Sequence, residues 1–326
     1  MTTPILIDTD PGIDDALAIL LAFGSPEVSV EAITTVAGNV EVGLGTENIF
    51  RILDVVRPGH RPLVAQGAPA PLRQPLVTAP HVHGADGLGN LERFVEPDGT
   101  IRYPDPPHTL ETLDAADLIL QTVKEFPDRL VLVALGPLTN LALALQRDPD
   151  ALRRYARIVV MGGAVSVGGN VTPVAEFNMY VDPDAAAAVF EAGLPIDLIP
   201  LDVTRQVILT RGGLHEATGR SRSPRACFLE DFTLFGFEFS ESRGESGIFL
   251  HDPLAMAVAI EPGLVGLEPL HVAVEWEGRL TRGMTVADRR DIEPYRKEPP
   301  TCRAALSVDG PRFLHFFLER VCPASA

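Results

Sequence analysis

The sequence is poor in cysteine and lacks long apolar runs. Its three cysteines, Cys227, Cys302 and Cys322, are widely spaced, so neither a disulfide framework nor a zinc site with paired cysteines is predicted. We expect reduced thiols and a cytoplasmic protein. The apolar run "ALAILLAFG" is too short to span a bilayer. The start "MTTPILIDTD" has no basic region, so we expect neither a membrane segment nor a signal peptide.

Positive charge is also scarce. The chain has 44 acidic residues against 27 Lys and Arg, which gives a formal net charge of -17, and residues 1–50 contain no Lys or Arg. Such a chain repels nucleic acid and anionic membranes, so neither is an expected partner. The excess of acid does not by itself identify a ligand.

Short apolar runs alternate with helix-periodic segments, which predicts an α/β fold. This alternation is typical of a mostly parallel, doubly wound, Rossmann-like sheet flanked by helices. The predicted strands are residues 5–7, 28–37, 62–66, 130–135, 157–163 and 196–201. The predicted helices between them are residues 15–23, 45–56, 111–126, 138–146 and 184–192.

The remaining segments predict loops, further helices and a closing group of strands. Residues 68–109 are rich in proline and glycine and predict a long active-site loop region, and residues 210–250 predict helices with loops. The tail predicts strands at 270–276, 285–288 and 303–309 and a last helix at 311–320. Since no linker or repeat is visible, we predict one domain over residues 1–326, with its active site at the carboxyl ends of the strands.

Four aspartates crowd the point where the first strand leads into the first helix. Asp8 and Asp10 end the strand, and Asp14 and Asp15 open the helix. Helix capping and the helix dipole explain one or two of them. The others would raise each other's pKa unless a positive charge lay among them, and no local Lys or Arg supplies it. A bound cation is the simplest answer, and hard oxygen ligands favour Ca²⁺ or Mg²⁺.

Two other uses of such a cluster conflict with particular residues, and a third type of site lacks its motif. An EF-hand counted from Asp8 would need glycine and glutamate where Ile13 and Ile19 stand. A phosphatase of the HAD type would need Thr or Val at the position of Gly12. No GxGxxG follows a strand and opens a helix, so a dinucleotide-binding fold has little support.

The segment "DTDPGIDDALAI" resembles the amino-terminal signature of the inosine-uridine preferring nucleoside hydrolases. Eight further blocks resemble that family in order, and the resemblance extends over essentially residues 4–320. They are "ITTVAGN" (33–39), "HVHGADGLG" (81–89), "LGPLTNLALA" (135–144), "VVMGGA" (159–164), "AEFNMYVDPDAA" (175–186), "LDVT" (201–204), "HDPLA" (251–255) and "GMTVAD" (283–288).

The resemblance implies a Ca²⁺-dependent hydrolase that splits a ribonucleoside, purine or pyrimidine, into ribose and free base. The implied metal ligands are the carboxylates of Asp10, Asp15 and Asp252 and the backbone carbonyl of Leu135. Asp10 is also the implied base that activates water, and His251 the implied general acid or base-binding residue. The implied substrate-binding residues are Asp14, Asn39, His83, Asn170 at the 5′-hydroxyl, Glu176, Phe177 and Asn178. Family members are commonly dimers or tetramers, so we expect a homodimer or homotetramer.

One segment departs from the family pattern. Where relatives often carry tyrosines before the HDP block, this chain has Phe232, Phe235, Phe237 and Phe239. These rings fit either a core stripe or a base pocket that stacks on the substrate but donates no proton. Two further readings stay open: a hydrolase for another N-ribosyl compound, and a ribose-binding homologue without turnover. His81 is expected to be structural, and Asp8 to orient its neighbours.

Overall fold

A computed structural model describes residues 2–107, 109–219, 221, 223–290 and 298–322. The strands are β1 (Thr3–Thr9), β2 (Val28–Thr35), β3 (Leu63–Gln66), β4 (Val131–Ala134), β5 (Arg157–Met161), β6 (Ile196–Ile199), β7 (Ile208–Leu209), β8 (Ile248–Phe249), β9 (Val265–Leu270), β10 (Val272–Val274), β11 (Thr285–Ala287) and β12 (Cys302–Val308). The helices are α1 (Ile13–Phe23), α2 (Val42–Val56), α3 (Pro80–His83), α4 (Ala115–Glu125), α5 (Thr139–Arg147), α6 (Pro149–Leu152), α7 (Phe177–Val181), α8 (Pro183–Glu191), α9 (Leu201–Thr204), α10 (Arg211–Thr218), α11 (Pro224–Ser242), α12 (His251–Ile260) and α13 (Gly310–Val321). Two 3-10 turns cover Leu91–Arg93 and Pro262–Leu264.

Eight strands form the central sheet in the order β3-β2-β1-β4-β5-β6-β12-β9. All neighbouring pairs are parallel except β12 with β9, which is antiparallel. The chain order reverses between β1 and β4, and ligands of such sheets bind in the crevice beyond the carboxyl ends of the strands at this point. The predicted mostly parallel, doubly wound sheet is confirmed.

The first strand shows why both faces of the sheet are covered. Ile5 and Ile7 pack into the core on one face, and Leu6 packs into the core on the other. All three side chains are fully buried, because a strand at the middle of a doubly wound sheet has helices on both sides. On one face α1 packs beside α12, and on the other α5 packs beside α4 and α8.

Most predicted elements are present with ends shifted by a few residues, and two predictions are wrong in part. Residue 201, predicted as the end of a strand, begins α9 instead. The strand predicted at 270–276 is divided between β9 and β10. Within the predicted helical region 210–250, residues 220 and 222 lie outside the described residues.

Helix α12 was not predicted as an element. Eight of its side chains are buried, and they point in all directions around the helix. A helix that is apolar all round shows no 3.6-residue period, so its sequence lacks the signal by which the other helices were found.

None of the described helices is long and apolar enough to cross a bilayer. The three cysteines are free thiols: Cys227 is exposed, Cys302 is buried and Cys322 is half-buried.

Candidate active site

A cavity of about 570 Å³ opens beyond the carboxyl ends of the central strands. Leu135 directly follows β4, and Met161 ends β5, and both line it. All the predicted site residues except Asp10 and Asp15 line this cavity: Asp14, Asn39, His83, Leu135, Asn170, Glu176, Phe177, Asn178, His251 and Asp252. Residues that are widely separated in the sequence therefore meet at the place where the topology predicts a ligand site.

Asp10 and Asp15 lie buried behind this lining and are held by fixed donors. The Asn39 backbone N–H donates to Asp10 Oδ2 at 2.7 Å, and its side-chain amide donates to Asp15 Oδ2 at 3.2 Å. Asp15 also accepts from the hydroxyl of Thr9 and from the backbone N–H of Gly12. Asp15 thus caps the start of α1, as capping was expected to explain one aspartate of the four.

Two glycines let the backbone approach Asp10 closely. A Cβ atom at Gly38 would lie 2.0 Å from Asp10 Oδ2, and one at Gly136 would lie 2.6 Å from Asp10 Oδ1. Both distances are shorter than any side chain tolerates. The loops after β2 and β4 therefore form a cradle that only glycine permits around this carboxylate.

Side-chain oxygens of Asp14, Asp15 and Asp252 lie within 4.8 Å of one another. Asp14, which the resemblance assigns to ribose, thus shares a cluster with two predicted metal ligands. Asp10 is outside this set of three, but after burial and the charges of Asp14 and Asp15 its charge also contributes to raising the pKa of Asp252. Its own Oδ1 is buried without a hydrogen-bond partner.

The four carboxyl groups need a cation to be ionised together. Among the described residues, no Lys or Arg forms an ion pair with Asp10, Asp14, Asp15 or Asp252. Burial, with repulsion from neighbouring carboxylates, raises the pKa of Asp14 to about 8 and that of Asp10 well above its usual range. Buried carboxylates with an unpartnered oxygen and no basic partner fit a hard cation such as Ca²⁺.

A second group of polar atoms lies on the β4 and β5 side of the cavity. The Asn178 side-chain amide donates to the carbonyl of Leu135 at 2.6 Å and to that of Met161 at 3.2 Å. The Leu135 carbonyl, a predicted metal ligand, is therefore beside Asn178. The Glu176 carboxylate accepts backbone N–H groups of Gly163 and Asn178, each at 2.9 Å, and caps the start of α7.

His83 is held as a neutral imidazole. Its Nδ1 accepts the backbone N–H of Ile13 at 3.0 Å, so the ring proton is on Nε2. Burial, with the charges of His81 and His251, lowers the pKa of His83 to about 3.

His251 lies at the start of α12, next to Asp252. Its Nδ1 is 2.7 Å from the Thr204 hydroxyl, at the end of α9. Burial, with the charge of Arg205, lowers the pKa of His251 to about 4. At neutral pH its imidazole is therefore uncharged.

The phenylalanines of α11 divide between core and cavity. Phe232 and Phe237 are buried in the core, and Phe235 packs against it. Phe239 alone of the four lines the cavity, where its ring lies edge-on to His81 at 6.2 Å between centroids. His81 was expected to be structural, but it is exposed and lines the cavity with Phe239.

The sequence reasoning also missed several cavity residues because they match no motif. They are Arg205, Arg243, Glu245, Ile248 and Phe249. Only Arg205 had a local signal, since it directly follows the "LDVT" block.

Asp8 does not line the cavity. Its Oδ1 accepts from the Thr34 hydroxyl at 2.6 Å and from the Asn140 amide at 2.7 Å. It was expected to orient its neighbours, and its hydrogen bonds join β1 to β2 and to α5. Burial raises the pKa of Asp8 to about 7.

Comparisons with known proteins identify the family of the chain. Residues 5–315 match the family model described as inosine-uridine preferring nucleoside hydrolase. The chain is 39% identical over 323 residues to the pyrimidine-specific ribonucleoside hydrolase RihA of Citrobacter koseri, covering 98% of each chain.

Two solved structures share the whole fold. A plant nucleoside hydrolase is 36% identical with a TM-score of 0.89, covering 99% of this chain and 100% of that one. A purine-preferring ribonucleoside hydrolase from Gardnerella vaginalis is 37% identical with a TM-score of 0.86, covering 98% of each chain. The chain is therefore an enzyme of the inosine-uridine preferring nucleoside hydrolase family.

Proposed function

We propose that this enzyme hydrolyses the N-glycosidic bond of ribonucleosides with the help of one bound Ca²⁺. The observation that carries the proposal is a carboxylate cluster that pairs with no Lys or Arg among the described residues, at the inner end of a cavity large enough for a nucleoside. The carboxylates of Asp10, Asp15 and Asp252 and the carbonyl of Leu135 would hold the ion. When bound, Ca²⁺ would supply positive charge that makes a neighbouring water more acidic.

Asp10 is the proposed general base. Its Oδ2 is held by the Asn39 backbone N–H, while its buried Oδ1 has no hydrogen-bond partner. Oδ1 is therefore the oxygen available to take a proton from the water that attacks C1′. The absence of a side chain at Gly38 and at Gly136 leaves room for both oxygens of this carboxylate.

The same carboxylates favour the sugar's transition state. Breaking the bond from C1′ to the base leaves positive charge on the ribose ring, as in other glycoside cleavages. Fixed negative groups near that ring stabilise the charge without having to reorganise. Asp14, Glu176 and Asn178, which line the inner cavity, would bind the ribose hydroxyls, and Asn170 the 5′-hydroxyl.

The leaving base would lie between the imidazoles and the ring of Phe239. His83 carries its proton on Nε2 and His251 is uncharged, so each would act toward the base as a neutral hydrogen-bonding group. Among the described residues that line the cavity there is no tyrosine. The base end therefore offers stacking and imidazole N–H groups as its means of assisting departure.

The experiment is a substrate panel with metal analysis of the same protein sample. We expect ribose release from at least one of uridine, cytidine, inosine, adenosine and guanosine, with about one calcium per chain and no requirement for phosphate. Absence of ribose release from every nucleoside with Ca²⁺ present would contradict the hydrolase activity. Turnover in calcium-free protein would contradict the proposed role of the metal but not the hydrolase activity.

A further inference from the structure

Arg205 lines the cavity, but its two terminal nitrogens bond to the backbone of another loop. Nη1 donates to the carbonyl of Gly168 at 2.9 Å, and Nη2 donates to the carbonyl of Gly169 at 2.7 Å. A planar guanidinium suits two adjacent carbonyl oxygens, because its donors lie in a fixed fork. The side chain is half-buried.

Asp202, three residues earlier, holds the beginning of the same loop. Its Oδ2 accepts the backbone N–H of Val165 and its Oδ1 that of Ser166, both at 2.8 Å. Residues three apart on a helical turn lie on the same side. The turn of α9 therefore fixes the loop at two successive places, first through Asp202 and then through Arg205.

The loop, residues 165–175, turns back on itself immediately after these contacts. The backbone N–H groups of Asn170 and Val171 both donate to the carbonyl oxygen of Ala175, with N···O distances of 3.1 and 3.2 Å. A Cβ at Gly169 would lie 2.1 Å from that same carbonyl oxygen, so the backbone before the turn lies in close contact with the backbone after it. Fixing the carbonyls of Gly168 and Gly169 therefore also fixes the backbone of Asn170.

We propose that Arg205 is a positioning residue that holds Asn170 in place for the 5′-hydroxyl of the ribose. The inference rests on the proposed function, because it takes the ribose to lie in this cavity with its 5′ end at Asn170. Loss of the guanidinium removes the fork that fixes the loop, while the groups that act on C1′ stay in place. The defect should therefore appear in substrate binding and depend on the 5′-hydroxyl.

The test compares Arg205→Ala, Arg205→Lys, Asn170→Ala and the double variant on uridine and 5′-deoxyuridine. Gln206→Ala is the matched control, since Gln206 is the exposed neighbour and its side-chain amide donates to the carbonyl of Asp202 in its own turn. For uridine we expect Arg205→Ala to raise KM about tenfold with little change in kcat, less than the roughly 10²-fold cost of a 1 Å misplacement of reacting groups. Arg205→Lys, which keeps the charge and fewer donors, should recover part of this loss.

The 5′-deoxy substrate separates positioning from direct contact. With 5′-deoxyuridine, wild type and Arg205→Ala should have the same KM, and the double variant should be no worse than Asn170→Ala, since residues that act together are not additive. An equal rise in KM on uridine and on 5′-deoxyuridine would overturn the proposal. A rise in KM that differs between uridine and inosine would also overturn it and would assign Arg205 to the base.

The remaining outcomes distinguish failure of this inference from failure of the proposed function. An active wild type with Arg205→Ala kinetics equal to those of Gln206→Ala overturns this inference and leaves the proposed function intact. A wild type that hydrolyses no nucleoside overturns both. If Arg205→Ala does not fold by circular dichroism, Arg205→Lys carries the same comparison, and faster amide exchange across residues 165–175 in that variant is the expected structural sign.

Discussion

The two ends of the cavity are built in different ways. The inner end is made of carboxylates at a strand end and at the starts of α1 and α12, and each of Asp10 and Asp15 is held by fixed backbone or side-chain donors. The outer end is made of side chains from α3, α11 and the segment that follows α11, with His81, Phe239 and Arg243 among them. Its contacts among the described residues include ring packing of His81 with Phe239 and the exposed guanidinium of Arg243 over the Phe239 ring.

Because the two ends are built differently, we expect the inner end to carry out the hydrolysis and the outer end to set the preference among nucleobases. Strand ends in a packed sheet are rigid, so the inner end holds its groups in one geometry and suits the chemistry common to all ribonucleosides. The outer end can change residues without disturbing the sheet. Relatives named for pyrimidine and for purine substrates share this fold with the chain. Changes at the inner end should therefore stop turnover of every nucleoside, and changes at the outer end should alter preference.

Removal of the metal should have the largest effect. We expect EGTA treatment to abolish ribose release from every substrate and to lower the unfolding temperature, because four crowded carboxylates lose the cation that keeps them ionised. A ligand at about 100 times its Kd stabilises a native protein by about 2.7 kcal/mol. Calcium added back should restore both, as followed by differential scanning fluorimetry. Full activity after chelation, with no calcium left in the sample, would contradict the proposed site.

Asp10→Asn should have the next largest effect. The substitution keeps the acceptor for the Asn39 N–H but removes the proposed base, so kcat should fall by about 10²–10⁴ on all nucleosides. Asp8→Asn is the matched control, since Asp8 is equally buried but bonds to Thr34 and Asn140 away from the cavity. Its kcat should stay close to wild type. Equal losses in the two variants would mean that the segment acts only through folding.

His251→Ala should have a smaller effect that depends on the leaving group. Loss of one hydrogen bond to a charged group costs about 1.5–3 kcal/mol, or roughly tenfold to 10²-fold in kcat. Nitrophenyl riboside is the control substrate, since its leaving group departs without assistance. The defect should be large on inosine and small on the riboside in steady-state assays. A defect of the same size on both would place His251 with the inner end.

Phe239→Leu should have the smallest effect. Loss of ring stacking is worth about 0.5–1.5 kcal/mol, so kcat/KM should fall by about two- to tenfold, and by different factors for purine and pyrimidine nucleosides. Phe235→Leu is the matched control on the same helix, because Phe235 packs against the core and does not line the cavity. Its ratio of purine to pyrimidine kcat/KM should be that of wild type. A changed ratio in the control would show that α11 acts as a whole.

Regular patterns made the sheet predictable. Strands such as Val131–Ala134 and Arg157–Met161 are short apolar runs between helices, and the structure has them within a few residues of the predicted ends. Helix α12 was not predicted, because a helix that is buried on all sides shows no 3.6-residue apolar period. The strand was predicted one residue into α9 because Leu201 continues the mostly apolar segment 196–201, and only the chain's turn at Pro200 ends the strand.

The inner end of the site was predictable because its aspartates crowd one segment. Asp10, Asp14 and Asp15 are neighbours in the chain, and their mutual repulsion is visible without coordinates. The outer end was predictable only in part, since His81 and Phe239 come from separate elements and no spacing rule says that they meet. Even for α11 the sequence left two readings, and the direction of each ring decided that Phe239 lines the cavity and Phe232 does not.

The sequence by itself determined a doubly wound α/β sheet and a group of like charges at the end of its first strand, from which the proposed cation site was predicted. Local patterns carry this information, since burial sets the period of a strand and charge repulsion acts between chain neighbours. Only the tertiary structure decided which distant residues join these aspartates at one cavity. The packing of α1 beside α12 brings Asp252 to Asp14 and Asp15, and the turn of α9 brings Arg205 to the loop that carries Asn170. Contacts between segments so far apart depend on how the helices pack on the sheet, and no local pattern encodes that.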